Sequence, residues 1–123
     1  MSIFKEVYTE LNVEALTNLV DDISPYVRAR GTTFPAVTFE IGTETFERES
    51  TGISRSLAEV EVTCYARSVI ESEEVGEVVK ALILESDCNY LNSIDREYDE
   101  GYDDDSVGVF MVVINYTKSK EAE

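Results

Sequence analysis

Residues 58–66, AEVEVTCYA, place an apolar side chain at every second position. Alternation with a period of two predicts a β-strand with one buried face and one face in water. A strand that is wet on one side is typical of an antiparallel sheet. The predicted buried set shares one face of this strand: Ala58, Val60, Val62, Cys64 and Ala66.

The segment before this strand is polar from Gly42 to Ser56, and it follows a second alternating stretch that begins after Pro35. Its length exceeds that of a tight hairpin turn, so residues 43–56 are predicted to form a long β-hairpin arm. A polar arm is poor core material but can reach a neighbouring molecule. The candidate contact residues on the arm are Phe46, Glu47, Arg48 and Arg55.

The remaining segments complete one small domain over residues 1–123. Two short helical stripes precede Pro25, and Ser68 with Glu71 forms a capping box that predicts a helix over 70–86. A weaker strand (90–98), an acidic turn (99–106) and a strand apolar on both faces (107–117) follow, and residues 118–123 are predicted to be a solvated tail. This order predicts an α+β fold, in which helices pack on a four-stranded, mainly antiparallel sheet.

The composition disfavours several classes of function. The formal net charge is −16, from 10 basic and 26 acidic residues, so binding of duplex DNA through phosphate neutralisation is not expected. Histidine is absent, which removes imidazole bases and a serine–histidine triad. No run of 18 apolar residues is present, and no membrane partner is expected. The sequence predicts no enzymatic activity and no cofactor.

The acidic turn offers a second set of contact candidates: Tyr98, Tyr102, Asp103 and Asp104. Its carboxylates could also bind Ca²⁺, but the spacing of glycine and glutamate does not fit a calcium-binding loop, so no metal site is assigned. Cys64 and Cys88 lie 24 positions apart. They are interpreted as two reduced thiols, although the sequence leaves a disulfide open.

Four stretches carry a resemblance to a known family: residues 23–27 (ISPYV), 31–39 (GTTFPAVTF), 58–66, and 98–117 with its final strand. In this order they resemble the tail terminator, or tail completion, proteins of long-tailed viruses, which join the head to the tail. The resemblance covers about residues 20–117. It implies an α+β sandwich that assembles into a six-fold ring on the tail tube.

The resemblance further implies the partners and the location. These are further copies of the chain, the tail tube protein and a head connector or adaptor protein, in the tail or neck region of a virion assembled in the host cytoplasm. DNA would pass through the ring without specific binding, and the acidity would keep it from adhering. Alternatives are another neck component, such as a head-completion or connector-adaptor ring, or a small acidic cation-binding or adaptor domain of a halophile. The acidity has a second possible explanation. Four lysines beside 26 acidic residues are typical of proteins from a halophilic host, in which high salt screens the repulsion between the acidic residues.

Overall fold

The computed structural model describes residues 3–26, 33–50, 52–100 and 108–121. Three helices and five strands occur in these ranges. They are α1 (Ile3–Leu11), α2 (Glu14–Thr17), β1 (Asp22–Pro25), β2 (Ala36–Glu49), β3 (Gly52–Ala66), α3 (Val69–Leu84), β4 (Asn89–Asp99) and β5 (Val109–Glu121). Within the described part of the chain, no helix combines the length and the hydrophobicity needed to cross a membrane.

The strands form one mixed sheet in the order β1-β2-β3-β5-β4. Strand β1 pairs with β2 in parallel, and the other pairings are antiparallel. The α+β class and the mainly antiparallel pairing are confirmed, but the predicted count of four strands is wrong. Strand β1 has four residues and a single apolar side chain, Ile23, which is too short to show an alternating pattern. It ends on Pro25, which an edge strand tolerates because its outer side needs no amide donor.

The core lies between one face of the sheet and the three helices. All five residues predicted from the alternation in β3 are buried there, at 2% exposure or less. Strand β5 lies between β3 and β4, an interior position in the sheet that suits its apolar sequence. The core cluster joins helix and strand side chains: Val7, Leu11, Leu16, Val20, Val75, Val79, Leu82, Ile83, Val37, Phe39, Val60, Val62, Cys64, Val112, Ile114 and Tyr116.

Helix α3 begins where the sequence predicts. The Ser68 side chain accepts a hydrogen bond from the Glu71 amide at 3.2 Å, as a residue before the first turn of a helix should. Gly76 of this helix lies directly over β5. A Cβ at position 76 would be 2.9 Å from Val112 Cγ1, so the glycine permits close packing of helix on sheet.

The predicted solvated tail is wrong for residues 118–121, which continue β5. Lys118 is only 7% exposed and forms an ion pair with Glu10 of α1, and Lys120 lies 3.0 Å from Glu6. The polar composition of this segment predicts a solvated tail. The segment can form a strand because helix α1, far away in sequence, supplies the acidic partners for its lysines. Residues 122 and 123 lie outside the described residues.

Both cysteines are free thiols. Cys64 is completely buried in the core, and this burial raises the pKa of its thiol to about 12. A buried, protonated thiol of this kind behaves as a small apolar side chain.

Candidate interaction surfaces

The distal halves of β2 and β3 form the arm, a two-stranded ribbon in which residues 42–50 and 52–57 are mostly exposed. Two irregularities interrupt the pairing, between Ile41 and Glu44 and between Glu47 and Arg48. Bulges of this kind bend and twist a ribbon. The arm is therefore an irregular and mostly exposed extension of the sheet.

The four arm residues singled out from the sequence fall on two different faces. Phe46 lies opposite Ser56 and Arg48 opposite Ile53, and these pairs share one face. Phe46 is 51% exposed and Ile53 is 43% exposed. This face, called the arm tip below, combines two exposed apolar side chains with the guanidinium of Arg48.

Glu47 and Arg55 lie opposite each other on the other face of the arm, joined by a 2.7 Å ion pair. The hydrogen bond from Arg55 to Glu47 raises the pKa of the arginine above its usual value. Since both side chains are exposed, the pair contributes little to stability. Its effect is to neutralise this face, in contrast to the arm tip.

Tyr98 lies at the opposite end of the sheet from the arm. It pairs with Phe110, and the two rings are 4.6 Å apart between centroids, with Tyr98 still 51% exposed. The other residues of that predicted contact set, Tyr102, Asp103 and Asp104, lie outside the described residues. The structure thus separates the two candidate sets rather than bringing them into one site.

The second face of the sheet has no helix over it in the described ranges and is acidic. Glu40 of β2 lies opposite Glu61 of β3, and Asp95 and Glu97 of β4 contribute charge from the far side. A hydrogen bond with Glu40 raises the pKa of Glu61 to about 7, helped by partial burial and by the neighbouring negative charges. We call this surface the open face.

A depression of 530 Å³ lies on the open face and is lined partly by Glu40, Glu59, Glu61, Asn92 and Asn115. Among the described residues, no group of three or more acidic or sulfur side chains has a geometry that could hold a metal ion. The alternation in β3 placed Glu59 and Glu61 on the wet face correctly. Their proximity to Glu40 depends on strand register, which a single strand does not reveal.

Helix α3 carries a surface that the sequence analysis missed. Leu19, Val69 and Ile70 are exposed by 40%, 53% and 73%. With Val78 they line a 590 Å³ groove edged by three glutamates, Glu73, Glu74 and Glu77. We call it the α3 groove. Part of this surface could have been predicted from the sequence. Val69 and Ile70 are apolar but fall outside the apolar stripe of the helix, so they could not both pack in the core.

Comparison with known proteins identifies the fold alone. No family model matches the chain, and no curated protein matches it. Among solved structures, the chain is similar to one described as "Virion of native gene transfer agent (GTA) particle". The TM-score is 0.59 at 11% sequence identity, with 94% of this chain and 92% of that chain covered. The two chains therefore share one fold over nearly their whole lengths.

Proposed function

We propose that this chain is a structural protein of a virion, which forms a ring that caps the tail tube and joins it to the head. The observation that carries the proposal is the shared fold with a chain of a gene transfer agent virion, which extends over nearly the full length of both chains. The sequence resemblance to tail terminator proteins points to the same class of assembly. The proposed role is non-enzymatic and needs no cofactor.

The surfaces of the molecule support assembly as its role. A ring made of identical subunits needs two different patches on each subunit, one for each neighbour. The arm and the α3 groove are two such patches, both exposed and both partly apolar. Apolar side chains grouped in this way on a surface mark contacts with other proteins.

The open face suits the wall of a channel for DNA. Carboxylates at Glu40, Glu61, Asp95 and Glu97 would repel phosphates, so DNA could move past without adhering. In this proposal the open face lines the channel, and the helices lie on the outside of the ring.

The test measures assembly and partner choice together. The purified chain is sized by light scattering over a range of salt concentrations, alone and with the tail tube protein from the same virus. We expect closed rings, and we expect them on the ends of tubes in electron micrographs. A chain that stays monomeric and leaves tube length unchanged would refute the proposal. Rings that bind the head connector but leave tubes uncapped would instead indicate a different neck component.

A further inference from the structure

We propose that the arm tip of one copy docks in the α3 groove of the next copy, which gives a head-to-tail contact between subunits. The inference rests on the proposed ring and names the two surfaces that would build it. Phe46 and Ile53 would enter the groove between Leu19, Val69 and Ile70, and Arg48 would meet the glutamates at its edge.

The arm tip cannot reach the groove of its own molecule. Strand β3 begins at the arm with Gly52 and ends at Ala66, and helix α3 begins three residues later. The strand has 15 residues, which at about 3.3 Å per residue corresponds to about 50 Å. The two surfaces therefore lie at opposite ends of the sheet, and contact between them needs two molecules.

The groove is apolar at its base and acidic at its edge. Val69 and Ile70 follow Ser68 at the start of α3, and Val78 and Leu19 extend the apolar surface. Of the three glutamates, Glu73 is engaged by Arg96 of β4 at 2.6 Å. Glu74 and Glu77 are exposed and take part in no ion pair among the described residues. A suitable partner would carry apolar side chains beside a positive charge.

The arm tip has this complementary chemistry. Phe46 and Ile53 are half exposed, and Arg48 lies directly opposite Ile53 on the same face. In the part of the chain that the structure describes, Arg48 forms no ion pair. Copies that each carry a net charge of −16 repel one another, so a contact between them is favoured where a basic group meets acids.

The contact would be heterologous, since a different patch is used on each subunit. A heterologous contact repeats from copy to copy, and it closes into a ring when the rotation between copies divides a full turn evenly. This geometry accounts for an exposed, bulged arm that carries two apolar side chains, Phe46 and Ile53, at its tip.

A charge exchange tests the contact. Arg48→Glu and Glu74→Arg are each expected to weaken self-association about tenfold, and the double variant is expected to recover most of it. Lys80→Glu is the matched control, because it makes the same charge change at a residue that lies outside both surfaces and forms no ion pair among the described residues. Phe46→Ser should weaken association without altering the circular dichroism spectrum.

The outcomes separate this inference from the proposed function. If rings form equally well with Arg48→Glu, Glu74→Arg and Phe46→Ser, the arm contact is wrong while the ring stands. If Lys80→Glu weakens association as much as Arg48→Glu, the effect is general charge repulsion and the contact is again wrong. If the wild-type chain never associates, with or without tube protein, both proposals are overturned.

Discussion

The carboxyl pair of Glu40 and Glu61 shows how one residue makes folding depend on pH. The pKa of Glu61 is raised to about 7, so it is protonated in the folded chain at pH values where it is ionised in the unfolded chain. The stability that this proton provides is complete below the ordinary pKa of 4.5 and is lost as the pH rises through about 7. Above that pH the ionised carboxylate of Glu61 lies among the neighbouring negative charges of the open face.

Replacement of Glu61 by glutamine should remove this dependence. We expect E61Q to be more stable than the wild type by about 1 kcal/mol at pH 8, a figure reduced for solvent screening because the side chain is only half-buried. At pH 4 the two proteins should be nearly equal. Urea unfolding at both pH values measures the difference, with the exposed Glu44→Gln on the arm as control. Equal stability at pH 8 would contradict the shared proton.

At the level of secondary-structure elements, the docking of α3 on β5 depends on the absence of a side chain at position 76. The helix contributes Val75, Val79 and Ile83 to the core, and Gly76 lets its backbone approach Val112 closely. Glycine costs an isolated helix about 1 kcal/mol relative to alanine, so its presence here reflects packing rather than helix propensity.

A double-mutant cycle at this contact gives a clear expectation. Gly76→Ala should destabilise the protein by about 1 kcal/mol, because the new Cβ overlaps Val112 and the stiff valine cannot move aside. Gly76→Ala combined with Val112→Ala should lose less stability than the sum of the single changes, since the second change makes room for the first. Thermal unfolding followed by circular dichroism measures all three variants. Simple additivity would show that the two positions do not touch.

Helix α1 and the end of β5 illustrate how elements distant in sequence neutralise each other. Glu10 accepts hydrogen bonds from Lys118 and, at 3.2 Å, from Asn89. Lys118 is almost fully buried, and a buried lysine needs a partner of opposite charge. These contacts explain why a charged segment became a strand instead of the tail that its composition indicated.

At the level of the whole molecule, the charge distribution distinguishes the two faces of the sheet. One face is covered by helices, and the open face carries carboxylates on β2, β3 and β4. If that face lines a channel, reversal of its charge should turn a repelling wall into a binding one. This effect is expected only for the assembled ring, because a single subunit encloses no channel.

Rings that carry Glu61→Lys and Glu97→Lys are therefore expected to retain linear duplex DNA, with a strong dependence on salt. They should not retain covalently closed circles, because a circle has no end to thread through a ring. Filter retention of both DNA forms measures this, and Glu14→Lys with Glu85→Lys is the control pair, placed on the helix side of the molecule. Equal retention of linear and circular DNA would place the open face on the outside of the assembly.

Local patterns in the chain were sufficient for the fold class and for most of the elements. A period of two set the buried face of β3, a capping box set the start of α3, and an entirely apolar run marked β5 as an interior strand. These features depend on neighbours within a few residues, so they are visible without knowledge of the rest of the molecule. The polar stretch of residues 43–56 likewise indicated the arm before its strand pairing was known.

Contacts between distant segments decided the rest. The parallel edge strand β1, the strand character of Lys118–Glu121, the Glu40–Glu61 pair and the α3 groove all depend on register and on packing between elements far apart in sequence. The contribution of a charged or apolar side chain to stability depends on its burial and on the group that it contacts. These are set by the tertiary structure and cannot be read from the residue alone. For this reason the sequence alone indicates the arm, whereas the residues of the α3 groove form one surface only in the folded chain.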